Sequence, residues 1–151
     1  MSRFSMEVSE QPRVLALIIC ERIIVEAETG NVSLIGTFDV FSVESIPTIM
    51  PVLNAHISLV KGRDDSNQMF LGLFSPNGDA VIKSVLDVRD WGDGRAQFNL
   101  RLPNIPLPIE GPYVLRLFVA DQVLSERTLV VQTAPRSPEA LGDLPIPEPS
   151  P

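Results

Sequence analysis

The clearest alternation of apolar and polar residues lies between Gly111 and Val131. Ala120-Asp121-Gln122 provides a turn within this stretch, and residues 124–131 return from it. Before the turn, apolar side chains recur at every second position and therefore share one face of a strand: Tyr113, Leu115, Leu117 and Val119. Each such side chain stabilises the fold by ~1.5–3 kcal/mol when fully buried, which requires a second apolar layer. The pattern predicts a β-hairpin inside a layered all-β fold.

The rest of the chain shows similar short apolar runs separated by turn residues. β-Branched residues and period-two alternation favour strands, although a buried helix is the alternative for the first run. Turn signals recur about every eight to twelve residues, a spacing typical of β-sandwiches. We therefore predict an antiparallel β-sandwich with Greek-key crossovers and about eight strands: residues 14–27, 32–43, 53–60, 68–74, 80–88, 96–102, 113–119 and 124–131.

Two proline-rich segments, residues 46–51 and 103–112, interrupt the strand pattern. Proline cannot donate a ladder hydrogen bond, so both segments are predicted to leave the sheets. Each is expected to cross from one sheet to the other. Gly36, within the second predicted strand, indicates a bulge or the close approach of another backbone.

Composition sets the domain organisation and limits the partners. A chain of 151 residues with 44% hydrophobic residues fits one domain with a substantial core, and we assign residues 14–132 to it. Residues 1–13 are predicted to be a flexible leader. Residues 133–151 are predicted to be a disordered, proline-rich acidic tail, because six of these nineteen residues are proline. The net charge of −7 argues against nucleic acid or anionic membranes as partners, although solubility alone also explains it.

The sequence favours a cytoplasmic protein. Cys20 is the only cysteine, so no disulfide can form within the chain, as is usual in a reducing compartment. The longest uninterrupted apolar run, residues 14–20, is shorter than the ~18–20 residues of a membrane span. Glu7 and Glu10 stand where a signal peptide would carry basic residues, so secretion is not expected.

Candidate catalytic or metal-binding residues are few. We predict no cofactor, no metal site and no catalytic residue, because His56 and Cys20 lie far apart in sequence and no phosphate loop, nucleophile elbow or zinc spacing occurs. A Cys-His nucleophile pair requires the fold to bring these two residues together. The aspartates of the loops offer a calcium site as one alternative and ordinary turn residues as the other: Asp64, Asp65, Asp79, Asp90 and Asp93.

Apolar residues on the second face of two predicted strands suggest a partner surface. If the inward residues of the late hairpin fill the core, the opposite face carries Val114, Arg116 and Phe118. The first strand raises the same question and adds further candidates: Leu15, Leu17 and Ile19. A partner, a covering loop and scattered exposure are the three explanations of such residues. We predict that the domain binds another protein, or its own copy, through a face that includes Phe118.

Two segments carry a resemblance to a known family. The first includes Leu34-Ile35-Gly36-Thr37-Phe38-Asp39, and the second is the late hairpin with the prolines before it. Over residues 14–132 the chain resembles a bacterial domain-of-unknown-function family of small proteins. The resemblance implies a bacterial, immunoglobulin-like β-sandwich without known activity and transfers no functional residue. Leu107 and Tyr113, six residues apart, are also similar to the tyrosine corner of immunoglobulin-like and fibronectin-like domains, and a half-buried aromatic is the alternative role for Tyr113. Gly111 and Gly36 are predicted to have structural roles.

The function expected from the sequence is therefore that of a non-enzymatic interaction or structural module. The alternatives are a calcium-dependent ligand-binding sandwich and a non-catalytic subunit of an enzyme complex. Residues 144–149, with the sequence LPIPEP, suggest either an extended segment that docks in an aromatic-lined groove or a plain tail.

Overall fold

The alternating segments fold into nine β-strands in this computed structural model, which describes residues 11–63 and 68–134. The described residues contain no helix. The strands are β1 (Arg13–Val25), β2 (Val32–Thr37), β3 (Val40–Val43), β4 (Thr48–Val60), β5 (Gln68–Phe74), β6 (Ala80–Asp87), β7 (Arg95–Leu107), β8 (Gly111–Val119) and β9 (Gln122–Thr133).

Two sheets pack face to face around one apolar core. The four-stranded sheet has the order β2-β1-β4-β7, and the five-stranded sheet has the order β3-β9-β8-β5-β6. All pairings are antiparallel except that of β3 with β9. The chain changes sheet repeatedly, as Greek-key sandwiches do. The predicted β-sandwich of mainly antiparallel strands is confirmed, with nine strands rather than about eight.

The core is built from the side chains whose alternation indicated it. The inward set predicted for the late hairpin is buried on β8: Tyr113, Leu115, Leu117 and Val119. Alternate apolar side chains of β4 are buried as well: Leu53, Ala55, Ile57 and Leu59. β4 belongs to one sheet and β8 to the other, so these two sets face each other across the sandwich. Each sheet thus supplies the apolar layer that the other needs.

The prediction of a single strand over residues 32–43 is wrong. The segment divides into β2, which pairs with β1, and β3, which pairs in parallel with β9 in the other sheet. The division follows Gly36, which has a φ of +70°, and the Glu21 side chain occupies the space where a Cβ atom of Gly36 would lie. Apolar residues continue across the break, at Phe38, Val40 and Phe41, so the segment resembles one strand in sequence. Periodicity alone therefore could not reveal the change of sheet.

The prediction that both proline-rich segments leave the sheets is also wrong in part. Pro51 lies within β4, and Pro103 and Pro106 lie within β7. β7 is an edge strand, and β4 pairs with β1 only from Asn54 onward, so each proline has one side without a neighbouring strand. A missing N–H is tolerated at such positions. The expected changes of sheet do occur, from β3 to β4 and from β7 to β8.

β4 and β7 keep their core-facing sides aligned despite these prolines. Met50 pairs with Ile105, Leu53 pairs with Leu102, and all four side chains are buried. In a regular strand, residues on the same face are an even number of positions apart. Here the buried positions are three residues apart in both strands, so the alternation of inward and outward side chains shifts by one residue in both strands at the same place. Asn104, with a φ of +53°, lies at this irregularity in β7. Because both strands shift together, their apolar side chains stay on the core side. A shift in one strand alone would turn its apolar side chains toward solvent.

Tyr113 forms a tyrosine corner at the start of β8. Its side chain is fully buried, its hydroxyl donates a hydrogen bond to the carbonyl oxygen of Ile109 at 2.7 Å, and it accepts one from the N–H of Ile109 at 3.3 Å. The hydroxyl thus fastens β8 to the connection that precedes it. The tyrosine-corner interpretation, rather than an ordinary half-buried aromatic, describes this residue.

Gly111 allows the same corner to pack closely against the β5–β6 turn. Its φ is +128°, and a Cβ atom at this position would lie 2.9 Å from Cγ of Pro76. An L-amino acid would meet both backbone strain and a steric clash there. Gly111 therefore has a structural role, as the sequence suggested.

Replacing Tyr113 with phenylalanine should lower the free energy of unfolding by about 1–2 kcal/mol, because the backbone groups of Ile109 lose their hydroxyl partner. Urea denaturation of both proteins measures this difference. An unchanged midpoint would mean that the corner contributes nothing to stability.

Replacing Gly111 with alanine should lower the free energy of unfolding by about 2–4 kcal/mol, combining backbone strain with the clash against Pro76. Gly30→Ala is the matched control, because Gly30 has a φ of +73° but no atom within 4 Å of its added Cβ. The control should cost only about 1 kcal/mol. Equal losses in the two variants would show that the contact with Pro76 is unimportant.

Candidate interaction surface

The outer face of the five-stranded sheet carries exposed apolar side chains that lie next to one another. β5 reads Phe70-Leu71-Gly72-Leu73-Phe74, and both of its leucines are buried in the core. Because side chains alternate across a strand, the two phenylalanines point away from the core. β8 adds Phe118, which pairs directly with Phe70.

An apolar row crosses four strands on this face. Val85 of β6 pairs with Phe70 of β5, Phe70 pairs with Phe118 of β8, and Phe118 pairs with Val123 of β9. Val85 is 54% exposed, Phe70 is 38% exposed and Val123 is 47% exposed, while Phe118 is half-buried. Adjacent strands are ~4.8 Å apart, so the row is about 14 Å long. These residues form a continuous strip rather than scattered exposed side chains.

A charged row lies beside the apolar row. It runs from Lys83 through Gly72 and Arg116 to Glu126, again by direct cross-strand pairing. Nε of Arg116 lies 2.9 Å from Oε2 of Glu126, and its guanidinium carbon lies 5.2 Å from the centroid of the Phe74 ring. The ion pair and the cation–π contact hold the arginine over the sheet.

A recess lies where the two rows adjoin, lined by Phe70 and Phe118 of the apolar row and by Gly72 and Lys83 of the charged row. A Cβ atom at Gly72 would lie 2.9 Å from Cε2 of Phe74, so the Phe74 ring covers the backbone where a side chain would otherwise stand. The Phe74 and Phe118 rings meet edge to face, with centroids 5.8 Å apart and an interplanar angle of 76°. The recess has a volume of about 320 Å³, and its lining also includes Lys83 and Asp121. Its walls are aromatic and its rim is charged.

The structure places the predicted interface residues in two different environments. Val114, Arg116 and Phe118 lie on the outer face of β8, as predicted, and Phe118 packs against Phe74 instead of standing alone. Leu17 and Ile19 are 6% and 0% exposed and belong to the core, so their assignment to an exposed interface is wrong.

A bulge in β1 explains the error. The pairing of β1 with β4 shifts between Val14 and Ala16, which leaves Leu15 as the extra residue. Leu15 is 49% exposed, whereas Leu17 pairs with Ile57 and faces the core. Unbroken alternation would have put Leu15 and Leu17 on the same face, and the bulge separates them.

The sequence predicted Arg116 and Phe118, but the other residues of the site were missed: Phe70, Gly72, Phe74, Lys83, Val85, Asp121 and Val123. For β5 the signal was present, because leucines at alternate positions of β5 leave the phenylalanines and the glycine on the opposite face. The sequence predicted β5 as a strand, but its faces were not assigned. The contact between Phe74 and Gly72 has no counterpart in the sequence pattern.

Cys20 and His56 lie on neighbouring strands but do not have the properties of a nucleophile pair. Ile18 pairs with His56 and Cys20 with Asn54, which places the two residues near each other on one sheet. Nδ1 of His56 lies 2.7 Å from Oδ1 of Asn99. Burial raises the pKa of the Cys20 thiol, and a backbone hydrogen bond involving Arg22 lowers it to a smaller extent. A reactive cysteine needs a lowered pKa, so this thiol is a poor nucleophile.

The loop aspartates do not form a calcium site within the described residues. Oδ1 of Asp90 accepts a hydrogen bond of 2.8 Å from the N–H of Gly92, which is ordinary turn geometry. In residues 11–63 and 68–134, no group of three or more His, Cys, Asp or Glu side chains is placed to hold a metal ion. Asp64 and Asp65 lie outside the described residues. The calcium alternative thus gains no support from the loops that can be examined.

Nor does the described part of the chain include a helix with the length and apolar character needed to cross a membrane.

Two solved structures resemble the chain at low sequence identity. An immunoglobulin-like protein from Pseudomonas aeruginosa is 15% identical, with a TM-score of 0.44, and the match covers 80% of this chain and 96% of that one. The β-glucuronidase of Bifidobacterium dentium, complexed with coumarin-3-O-glucuronide, is 12% identical, with a TM-score of 0.38, over 80% of this chain and 18% of the enzyme. At such values neither protein's properties extend to this chain.

Sequence comparison identifies the family. No curated protein matches the sequence. Residues 15–132 match the family of unknown function DUF6941, and this span runs from β1 to β9. The match covers well over half of the chain and includes both segments on which the resemblance to a family of unknown function was based. The chain therefore belongs to the DUF6941 family.

Proposed function

We propose that this protein is a non-enzymatic interaction module that binds a partner protein through the outer face of its five-stranded sheet. The observation that carries the proposal is the continuous apolar row of Val85, Phe70, Phe118 and Val123 beside the aromatic recess. A monomeric sandwich usually presents polar residues on such a face.

The composition of this face supports a protein partner. Protein interfaces are enriched in aromatic residues and arginine, and their strongest contacts combine an apolar centre with a polar rim. Here the phenylalanines supply the centre, and Arg116 and Lys83 supply part of the rim. The edge-to-face contact between Phe74 and Phe118 limits the motion of both rings. Rings that are already ordered lose less conformational entropy when a partner binds.

The non-enzymatic part of the proposal is supported by the chemistry of the described residues. Cys20 is held as a neutral thiol by burial, and His56 is hydrogen-bonded to Asn99. The aromatic recess contains no histidine, cysteine or paired carboxylates in its lining. A cytoplasmic location is also proposed, because a single buried cysteine suits a reducing compartment.

Replacing Phe118 with aspartate should abolish partner binding, because it puts a charge at the centre of the apolar row. Val85→Asp should weaken binding as well, and its 54% exposed side chain can be replaced without disturbing the core. Ile49→Asp is the matched control: Ile49 is 58% exposed but lies on the other sheet. Affinity capture from the native cell and sedimentation velocity measure binding to partners and self-association.

The control variant should retain every interaction of the unaltered protein. All variants are first compared by thermal denaturation, so that loss of binding is separated from unfolding. If Phe118→Asp and Val85→Asp both remain folded and keep all partners, the proposed surface is wrong.

Adding calcium should leave the melting temperature unchanged, because the proposal needs no metal. A calcium site present at 100 times its Kd would stabilise the fold by about 2.7 kcal/mol and raise the melting temperature by several degrees. Differential scanning calorimetry with calcium and with a chelator tests this directly. A calcium-dependent rise would favour the ligand-binding alternative over the interaction module.

A further inference from the structure

We infer that the aromatic recess binds a segment of the protein's own chain, residues 144–149, and that this segment competes with the external partner. The inference rests on the proposed function, because both ligands occupy the same face. Residues 135–151 lie outside the described part of the structure. The binding properties of this segment are therefore inferred from its amino-acid sequence alone. The recess and the strand that precedes the segment are both described.

The chemistry of the recess matches a proline-rich ligand. Proline-rich segments favour an extended polyproline helix, and they dock in grooves lined by aromatic rings. The recess is lined by the rings of Phe70, Phe74 and Phe118, and the Phe74 ring covers the backbone of Gly72 between them. The sequence LPIPEP of residues 144–149 alternates proline with leucine, isoleucine and glutamate. Such a segment presents prolyl rings and apolar side chains with little conformational freedom to lose.

The charges around the recess are mixed: Arg116 is paired with Glu126, and Lys83 is the cation that lines the recess itself. Lys83 and Arg116 lie on the charged row beside the recess, while Asp143 and Glu148 lie at the two ends of the proline-rich run. Asp121, which also lines the recess, is at the hairpin turn after β8 and opposes an acidic ligand there. Exposed ion pairs contribute little affinity, so these charges serve mainly to set the direction of the segment.

The chain can reach the recess without unpairing β9. Val131 of β9 pairs with Gly111, and Gly111 packs against Pro76 directly after β5, so β9 ends at the same end of the sheet as β5. β9 and β5 are separated by β8 alone, a distance of about 10 Å, and Gly72 lies about 13 Å along β5 from Pro76. The residues between Ala134 and residue 144 can span up to about 33 Å. The tether is therefore long enough.

Because it belongs to the same chain, a segment with low affinity for the recess can still compete effectively with an external partner. Short flexible linkers give effective concentrations of about 1 mM, and we apply this value to the connection between Ala134 and residue 144. A segment with an intrinsic Kd of about 100 µM would then fill roughly nine-tenths of the recesses. An external partner would bind about tenfold more weakly than it would to a chain with an altered segment.

A spin label at the end of the tail tests the inference in the full chain. Ser150→Cys provides the attachment site, and the native Cys20 is only 1% exposed and resists labelling. Docking should broaden the backbone amide signals of Gly72 and Phe118 far more than those of His56 and Asn99, which lie on the other sheet. Pro145→Ala/Pro147→Ala should remove the difference and strengthen partner binding about tenfold. Pro135→Ala/Pro138→Ala is the matched control and should change neither.

Equal signal intensities on the two sheets would overturn the inference. So would broadening seen only when the labelled chain is mixed with isotope-enriched copies, because the segment would then fill the face of a second molecule. If Phe118→Asp abolishes partner binding while the label leaves Gly72 unaffected, the proposed function holds and this inference fails. If the label broadens Gly72 while Phe118→Asp retains every partner, the face serves the tail and the proposed function fails.

Discussion

The pairing of β5 with β8 determines both faces of the five-stranded sheet. Leu71 pairs with Leu117 and Leu73 pairs with Leu115, and all four side chains are buried. Because side chains alternate, this register puts the phenylalanines of both strands on the outer face. A slip of one residue would send the aromatic rings into the core and the leucines into solvent. Core packing and the candidate surface thus depend on one set of backbone hydrogen bonds.

The position of β8 is in turn secured at its first residues. The hydroxyl of Tyr113 holds the backbone of Ile109, and Gly111 packs against Pro76. One contact joins β8 to the connection from the other sheet, and the second joins it to the turn between β5 and β6. Both lie at the same end of the sheet, so they oppose sliding of β8 along β5. The buried leucine pairs then complete the register.

Alternation in the sequence was sufficient to predict most strands and the inward face of β8, since burial on one face imposes a period of two. It could not show which sheet each strand joins. Residues 32–43 resemble one strand in sequence although β2 and β3 belong to different sheets, because apolar residues continue across the break between them. Pro51 and Pro103 were read as breaks because sequence does not reveal which side of a strand lacks a neighbour.

The candidate surface was predictable to a similar extent. Phe118 followed from the alternation of β8, and Phe70 and Phe74 could have been found by the same reasoning. The bulge at Leu15 could not, because an extra residue in one strand leaves no mark in composition or period. The recess itself depends on the ring of Phe74 lying over Gly72, a contact between side chain and backbone. Such contacts become visible only when the strands are in place.

The prolines of β7 also bear on how this protein avoids unwanted assembly. An edge strand with a full set of free N–H groups is a template for another strand and for aggregation. Pro103 and Pro106 remove two of those donors from the edge of the four-stranded sheet, and Asn104 interrupts its regular geometry between them. Growth by strand addition is thereby discouraged along this part of the edge. Association through side chains on a sheet face can then be selective without the risk of open-ended polymerisation there.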